Sequence, residues 1–258
     1  MRILHLTDLH FSIVRQGRAE SEKWKQVLEE VEEACRGHKI DRIAITGDLT
    51  CHGTEEEFKE AFLFFLELLQ RLKMERKQVL FCPGNHDADG ERAHSEFHHY
   101  EAFIRNFYEN DVPDVYIKHR KRNRETGEKL KFSFLSENTC TETSLMFFDQ
   151  AVMTQQLLDH MQQLSYDEYG ILLMHHQPEV IKNQDFFGKI VDDGRIKLIL
   201  CGHLHPTETR IYRAGKAVIV NGMAITPHLD FLPSGFQIVH IKASGKIKNK
   251  SFYIKLTN

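Results

Sequence analysis

The sequence predicts a layered α/β fold, one domain over residues 1–258 with two sheets inside. Three observations carry that prediction. Short apolar runs alternate with amphipathic helical stretches through the first half of the chain. Strand-length runs dominate the second half, an order that layered α/β folds show. Five of the apolar runs end directly in polar residues flanked by glycine or proline, and the carboxyl ends of strands are where α/β sheets assemble their sites.

Each element has its own signal. Ile3 to Thr7 is a short apolar strand. Trp24, Val27, Leu28, Val31 and Ala34 then fall on one helical face. Ile43 to Thr46 is the second strand. In "GDLTCHGTEEEF", Thr54 with Glu57 three residues later is a capping box, and the glutamates suit the positive end of a helix dipole. Phe58, Phe62, Phe65, Leu66 and Leu69 give that helix its expected core face. Val79 to Cys82 is a third strand, stopped by Pro83 and Gly84, and "EFHHYEAFIRNFYEN" is helical. A basic run from Lys118 to Lys131, centred on "ETG", reads as a hairpin or an insertion. Strands are expected near Phe132 to Leu135 and Leu145 to Phe148, and a helix from Thr154 to Leu164. Five further strands follow, at Ile171 to Met174, Ile196 to Cys201, Ala217 to Val220, Phe236 to Ile241 and Phe252 to Leu256.

Composition excludes several classes. The chain is 41% hydrophobic and 28% charged, with a net charge of −3, so its overall charge argues for neither nucleic acid nor membrane. No apolar run approaches the ~20 residues of a membrane span. The opening "MRILHLTDLHF" lacks the pattern of a secretory leader. Five scattered cysteines, Cys35, Cys51, Cys82, Cys140 and Cys201, read as reduced thiols, and the expected location is cytoplasmic. Histidine, with sixteen copies, is the composition's outlier.

The polar strand tips are "TDLH" (Asp8, His10), "TGDL" (Asp48), "PGNHD" (Asn85, His86, Asp87), "MHHQP" (His175, His176) and "CGHLH" (His203, His205). Asp8, His10, Asp48, Asn85, His175, His203 and His205 make seven oxygen and nitrogen donors. Such a mixed set suits Mn, Fe, Zn or Co, and no cysteine pair has zinc-ligand spacing. Seven donors are too many for one ion. A carboxylate can bridge, so they suit two ions about 3.5–4 Å apart. On an extended tip, residues two apart point the same way, which would let His203 and His205 take one ion each. His176, next to His175, is expected to face away, behind the ligands or toward substrate. His94, His98 and His99 read as solvated helix residues, and His5 and His240 as structural ones.

Taken in order, D-x-H, G-D, G-N-H-D, H-H and G-H-x-H resemble the calcineurin-like metallophosphoesterases, over about four-fifths of the chain. "GDLTCHGTEEEF" and "PGNHD" are most similar to the class III cyclic-nucleotide phosphodiesterase branch and its bacterial relatives. The resemblance implies a four-layer α/β/β/α sandwich. It implies that Asp8, His10 and His205 hold one metal ion, that Asn85, His175 and His203 hold a second, and that Asp48 bridges them. It casts His86 as the substrate-facing histidine. Two positions depart from the family pattern: Gln177 stands where proline is frequent, and Cys51 where an acid is.

The expected activity is hydrolysis of a nucleotide or other phosphodiester, with a metal-bound hydroxide as nucleophile and Mn, Fe or Zn as the ions. His86 would stabilise the transition state or protonate the leaving group, a step worth about 10²–10⁴-fold. Asp87 would orient an imidazole or sit in a solvated turn. A DNA or RNA nuclease on the same centre is the alternative, with the basic run from Lys118 to Lys131 tracking the polyanion. Phosphomonoesterase and non-catalytic scaffold rank lower. Asn221 and His228 are further rim candidates.

Overall fold

The computed structural model describes residues 1–12, 18–89, 96–112, 116–122, 129–141, 151–226 and 232–254. Their elements run β1 (Arg2–Leu6), α1 (Arg18–Cys35), β2 (Arg42–Thr46), α2 (Glu55–Leu72), β3 (Val79–Cys82), α3 (His98–Phe107), β4 (Tyr116–Arg122), β5 (Lys129–Ser136), α4 (Gln155–Gln162), β6 (Tyr169–Leu173), α5 (Gln184–Asp193), β7 (Ile196–Cys201), β8 (Arg210–Ala214), β9 (Ala217–Asn221), β10 (Ser234–Ile241) and β11 (Ile247–Ile254). One sheet has the order β11-β10-β1-β2-β3 and the other β4-β5-β6-β7-β9-β8. β1, β2 and β3 are parallel, as are β5, β6, β7 and β9. All seven therefore end on the same side of their own sheets.

Side-chain alternation builds the layers. On β1 and β2, Ile3 and Ala44 face inward, while Leu4, Leu6, Ile43 and Ile45 face out. The inward set meets Ile171, Leu173, Leu198 and Val220 of the second sheet in one buried cluster. Outward residues of the first sheet pack under α1, α2 and α3. Those of the second sheet pack under α4 and α5. The result is the expected α/β/β/α sandwich. Each fully buried Leu, Ile or Phe in these interfaces contributes about 1.5–3 kcal/mol.

The capping box at Thr54 and Glu57 forms as expected. The core face of α2 is shifted from the expected one: Phe64 and Leu68 are buried, while Phe62 and Leu66 are only half-buried. "AFLFFLELL" is apolar almost all round, so periodicity alone could not fix the face. α3 lies along β3, the edge strand. Phe81 meets Phe103 and Phe107 edge-on at centroid distances of 5.4 and 5.1 Å, and the Tyr108 hydroxyl donates to the Val79 carbonyl at 2.7 Å. A helix so placed covers an otherwise open sheet edge.

The basic run does form a hairpin. β4 and β5 pair antiparallel from Tyr116↔Leu135 to Arg122↔Lys129, and the turn between them lies outside the described residues. The strand expected near Leu145 to Phe148 lies outside them too, as do His94 and His228. α5 and β8 had no sequence expectation. α5 is short and interrupted by Gly188, and β8 is an edge strand of largely exposed polar residues. β11 begins at Ile247, earlier than expected, because its first residues alternate with exposed lysines. All five cysteines are free. No helix among the described residues is long and apolar enough to cross a membrane.

Candidate metal centre

The loops after β1, β2, β3, β6 and β7 meet at one end of the sandwich, and the parallel ladders continue into them. Asp8 N donates to Gly47 O at 3.1 Å, His10 N to Asp48 O at 3.0 Å, and Gly202 N to His175 O at 2.9 Å. The two sheets are joined at this point, where His175 Nδ1 lies 2.8 Å from the Thr46 carbonyl.

Five site residues adopt left-handed backbone: Asp8 (φ 53°), His10 (52°), Asp48 (51°), His203 (76°) and His205 (44°). Among the described residues only Lys73, Glu109 and Asn110 share that conformation without being glycine. Each such residue costs on the order of 1–3 kcal/mol, a strain that surrounding structure holds only where a site needs it. This corrects one expectation. His203 and His205 do not alternate on an extended tip, since β7 stops at Cys201 and both histidines sit in left-handed bends.

The two histidines nevertheless separate. His205 Nε2 lies 3.1 Å from Asp8 Oδ1 and 3.3 Å from His10 Nε2. His203 Nδ1 lies 3.2 Å from His175 Nε2, which is 3.1 Å from Asn85 Oδ1. Asp48 stands between the groups. Its Oδ2 is 3.3 Å from His175 Nε2 and 3.8 Å from His10 Nε2, while Oδ1 accepts from the His86 amide at 2.9 Å. Asp8 is steadied by the Thr7 hydroxyl at 2.7 Å and by the His203 amide at 3.2 Å. All seven expected donors are thus brought together.

These spacings suit cations. Two donors at ~2.1 Å from one ion and roughly 90–110° apart stand about 3.0–3.4 Å from each other. The chemistry of His175 points the same way. A carbonyl only accepts, so His175 Nδ1 carries a hydrogen, and Nε2 is the nitrogen that takes a metal ion or a proton. It faces Asn85 Oδ1, Asp48 Oδ2 and His203 Nδ1, a cluster that positive charge stabilises. Burial alone would lower the pKa of His175, yet the Asp48 and then Asp8 carboxylates outweigh it and hold it up at about 9. His205 is raised in the same sense, its burial outweighed by Asp8. Asp48 is held well below the usual carboxylate range: burial opposes this, but His175 and His86 prevail. Asp8, His10 and His205 form one buried group able to hold a metal ion, and Asp8, Asp48 and His175 another. His175, His176 and His203 form a third such group.

His86 is half-buried beside His10, with ring centroids 5.0 Å apart and planes nearly perpendicular. Its Nδ1 lies 2.9 Å from the Cys51 carbonyl. Asp87 does not orient an imidazole and is not solvated. It is fully buried, and its carboxylate accepts from the Thr50 amide (2.9 Å), the Thr50 hydroxyl (3.0 Å) and the Gly84 amide (2.9 Å), tying the β2 and β3 loops together. His176 is wholly buried, with Nδ1 2.8 Å from Thr139 Oγ1 and its ring 4.5 Å from that of His203, a place behind the donors and not one open to substrate. Asn221 is likewise buried and forms no exposed rim. His5 is structural as expected. Gln237 and Thr46 hold its two nitrogens, and burial pushes its pKa down to about 3.

Sequence reasoning missed Thr7, Thr46, Thr50 and the Cys51 carbonyl. A signal existed for two of them: in "HLTD" and "AITGD" a threonine ends the apolar run one and two residues ahead of the aspartate.

This is the arrangement of a metal-dependent phosphoesterase. Residues 1–207 match the model of the calcineurin-like phosphoesterase family, and the chain belongs to that family. It is a metal-dependent phosphoric ester hydrolase by membership and by its Asp/His groups. Its fold is similar to that of GAP50, described as the anchor in the inner membrane complex of Plasmodium (TM-score 0.61, 10% identity, 99% of this chain and 85% of that one). It is also similar to the sulfate thiohydrolase SoxB of Thermus thermophilus in complex with glycerol (TM-score 0.58, 12% identity, 99% of this chain and 56% of that one). At such identities the likeness shows the fold alone. No curated protein matches the sequence.

Proposed function

We propose that the chain is a dinuclear metal-dependent phosphodiesterase. The observation that carries this is Asp48 Oδ2, set between His10 of one donor group and His175 of the other. In this reading Asp8, His10 and His205 hold one ion, Asn85, His175 and His203 the second, and Asp48 both. Mn, Fe or Zn is favoured by the mixed imidazole and carboxylate set. Bound there, the ions supply a water of lowered pKa and neutralise charge on the phosphoryl group.

The chain's own residues do the rest. Thr7 and the His203 amide fix Asp8, the His86 amide fixes Asp48, and the Thr46 carbonyl fixes His175. The Cys51 carbonyl holds His86 Nδ1–H, which leaves Nε2 as the nitrogen that exchanges a proton with the leaving oxygen. A diester is favoured: among the described residues no Lys or Arg hydrogen-bonds within these groups, so there a monoester's second negative charge would have only the ions and a protonated His86 to balance it.

The nuclease reading gains nothing from the basic hairpin: β5 runs parallel to β6 from Phe132↔Tyr169 to Ser136↔Leu173, so Lys129 and Lys131 stand at the end of the sheet opposite the one that carries His175. The test is a metal-reconstituted screen over bis(p-nitrophenyl) phosphate, p-nitrophenyl phosphate, cyclic nucleotides and single-stranded DNA. Faster turnover of small diesters than of the monoester or DNA is expected. A monoester preference overturns the reading, and salt-sensitive DNA cleavage transfers it to the alternative.

A further inference from the structure

The structural place of His5 bears on the metal centre. The inner faces of β1 and β2 begin apolar, with Ile3 and Ala44. Two residues further on, the same faces turn polar, with His5 and Thr46. β10 makes the same change at Gln237, the register partner of His5, next to the apolar Val239 and Ile241. His5, Thr46 and Gln237 are all fully buried. Gly222, which follows β9, presses on them from the second sheet, and a Cβ there would strike Gln237 Nε2. Buried polar groups demand partners that an apolar set would not, so this plug between the sheets answers to more than packing.

Its hydrogen bonds run in one direction. The Met223 amide can only donate, and it lies 3.3 Å from Gln237 Oε1. The Thr209 hydroxyl donates to the same oxygen at 3.2 Å. Gln237 Nε2 is therefore the donor to His5 Nδ1, at 2.6 Å. The ring then carries its hydrogen on Nε2 and donates it to Thr46 Oγ1 at 2.8 Å. Thr46 passes the constraint on. Its carbonyl accepts the Nδ1 hydrogen of His175 at 2.8 Å and that of the Thr7 hydroxyl at 3.1 Å. Residue 46 is thus held through its side chain from within the first sheet, and it holds His175 at the tip of the second.

We propose that His5 is a positioning residue for the metal centre, setting the Thr46 carbonyl and through it the aim of His175 Nε2. The inference rests on the dinuclear reading and concerns the ion assigned to Asn85, His175 and His203. A metal-binding imidazole takes its orientation from the partner of its other nitrogen, and disturbing such a partner costs about 10–100-fold in affinity. Asp8 keeps its own tie to the Thr7 hydroxyl, at 2.7 Å, so the other ion is spared.

The test withdraws Mn²⁺ from the metal-loaded full chain with rising chelator and follows the retained ion by electron paramagnetic resonance. Wild type is expected to release its ions in two steps, one of which His175→Ala removes. His5→Leu should weaken that same step about 10–100-fold and leave the other unchanged. His5→Gln, whose amide can accept from Gln237 and donate to Thr46, should restore most of the affinity. Thr46→Val keeps the carbonyl and loses the hydroxyl. It should match His5→Leu, and the double variant should lose no more than either alone. Circular dichroism checks each fold, and Thr46→Val carries the test should His5→Leu not fold. Equal weakening of both steps, no weakening, failure of His5→Gln to restore affinity, or further loss in the double variant overturns the relay and leaves the two-ion reading standing. A single step in wild type overturns both.

Discussion

His86 and Cys51 are joined by a 2.9 Å contact between the imidazole Nδ1 and the main-chain carbonyl. Because a carbonyl can only accept, this contact fixes the tautomer and aims Nε2 at its task. His86→Ala removes the ring and leaves the amide that holds Asp48. Metal content should be unchanged. Turnover of diesters with alkyl leaving groups should fall about 10²–10⁴-fold. The loss should be much smaller with p-nitrophenol, which leaves without a proton. Equal losses on both substrates would remove the acid role.

Gly84 packs against Asp48 so closely that a Cβ would stand 2.1 Å from Oδ1 and 2.2 Å from the amide nitrogen. Gly84→Ala must therefore displace the carboxylate placed between the two donor groups. A displacement of that size costs roughly 10²-fold or more in rate. Circular dichroism should be unaltered while bound metal, measured by mass spectrometry, declines. Full metal and full activity would contradict the geometry.

Asp87 acts on stability. Asp87→Ala strands the Thr50 and Gly84 amides in a buried setting, at about 1–3 kcal/mol for each unpaired group. Denaturant unfolding should show a loss of about 2–6 kcal/mol on that basis. An unchanged midpoint would mean that water replaces the carboxylate.

Glu137 gives a pH signature away from the centre. It is buried, accepts from the Thr154 amide at 2.6 Å, and its pKa is pushed up to about 7, chiefly by burial. The folded state thus favours the protonated form. Its stabilisation is complete below the ordinary value of 4.5 and is lost as pH rises through about 7. Glu137→Gln should flatten melting temperature across that window and overtake the wild type above it. Parallel pH curves for the two proteins would refute the assignment.

Much of this was legible in the sequence because strand tips are local. "GDL", "GNHD" and "GHLH" each follow an apolar run, and the run places the tip. Convergence of all seven donors follows from parallel strands ending on one side. Other features were not legible. The left-handed backbone at Asp8, His10 and Asp48 falls on residue types that tolerate it, but Asp and His are too common elsewhere in the chain for type alone to reveal it. Asp87 could not be told from a turn residue, since its partners at Thr50 and Gly84 come from two separate loops. His98 and His99 are exposed as expected, but the Asp89 carboxylate that accepts from their amides stands nine and ten positions earlier and gave no local signal. β8 and α5 escaped notice for a simpler reason: a polar edge strand and a short helix with an internal glycine give almost no periodicity.

The central claim is that one carboxylate joins two cations, and it is tested most directly by counting them. Wild-type chain refolded with excess Mn²⁺ or Zn²⁺ and freed of loose metal should retain two ions per chain, located by anomalous diffraction on either side of Asp48. Asp48→Asn should retain one or none. A wild-type chain that binds a single ion, or two ions that both avoid Asp48, would contradict the account.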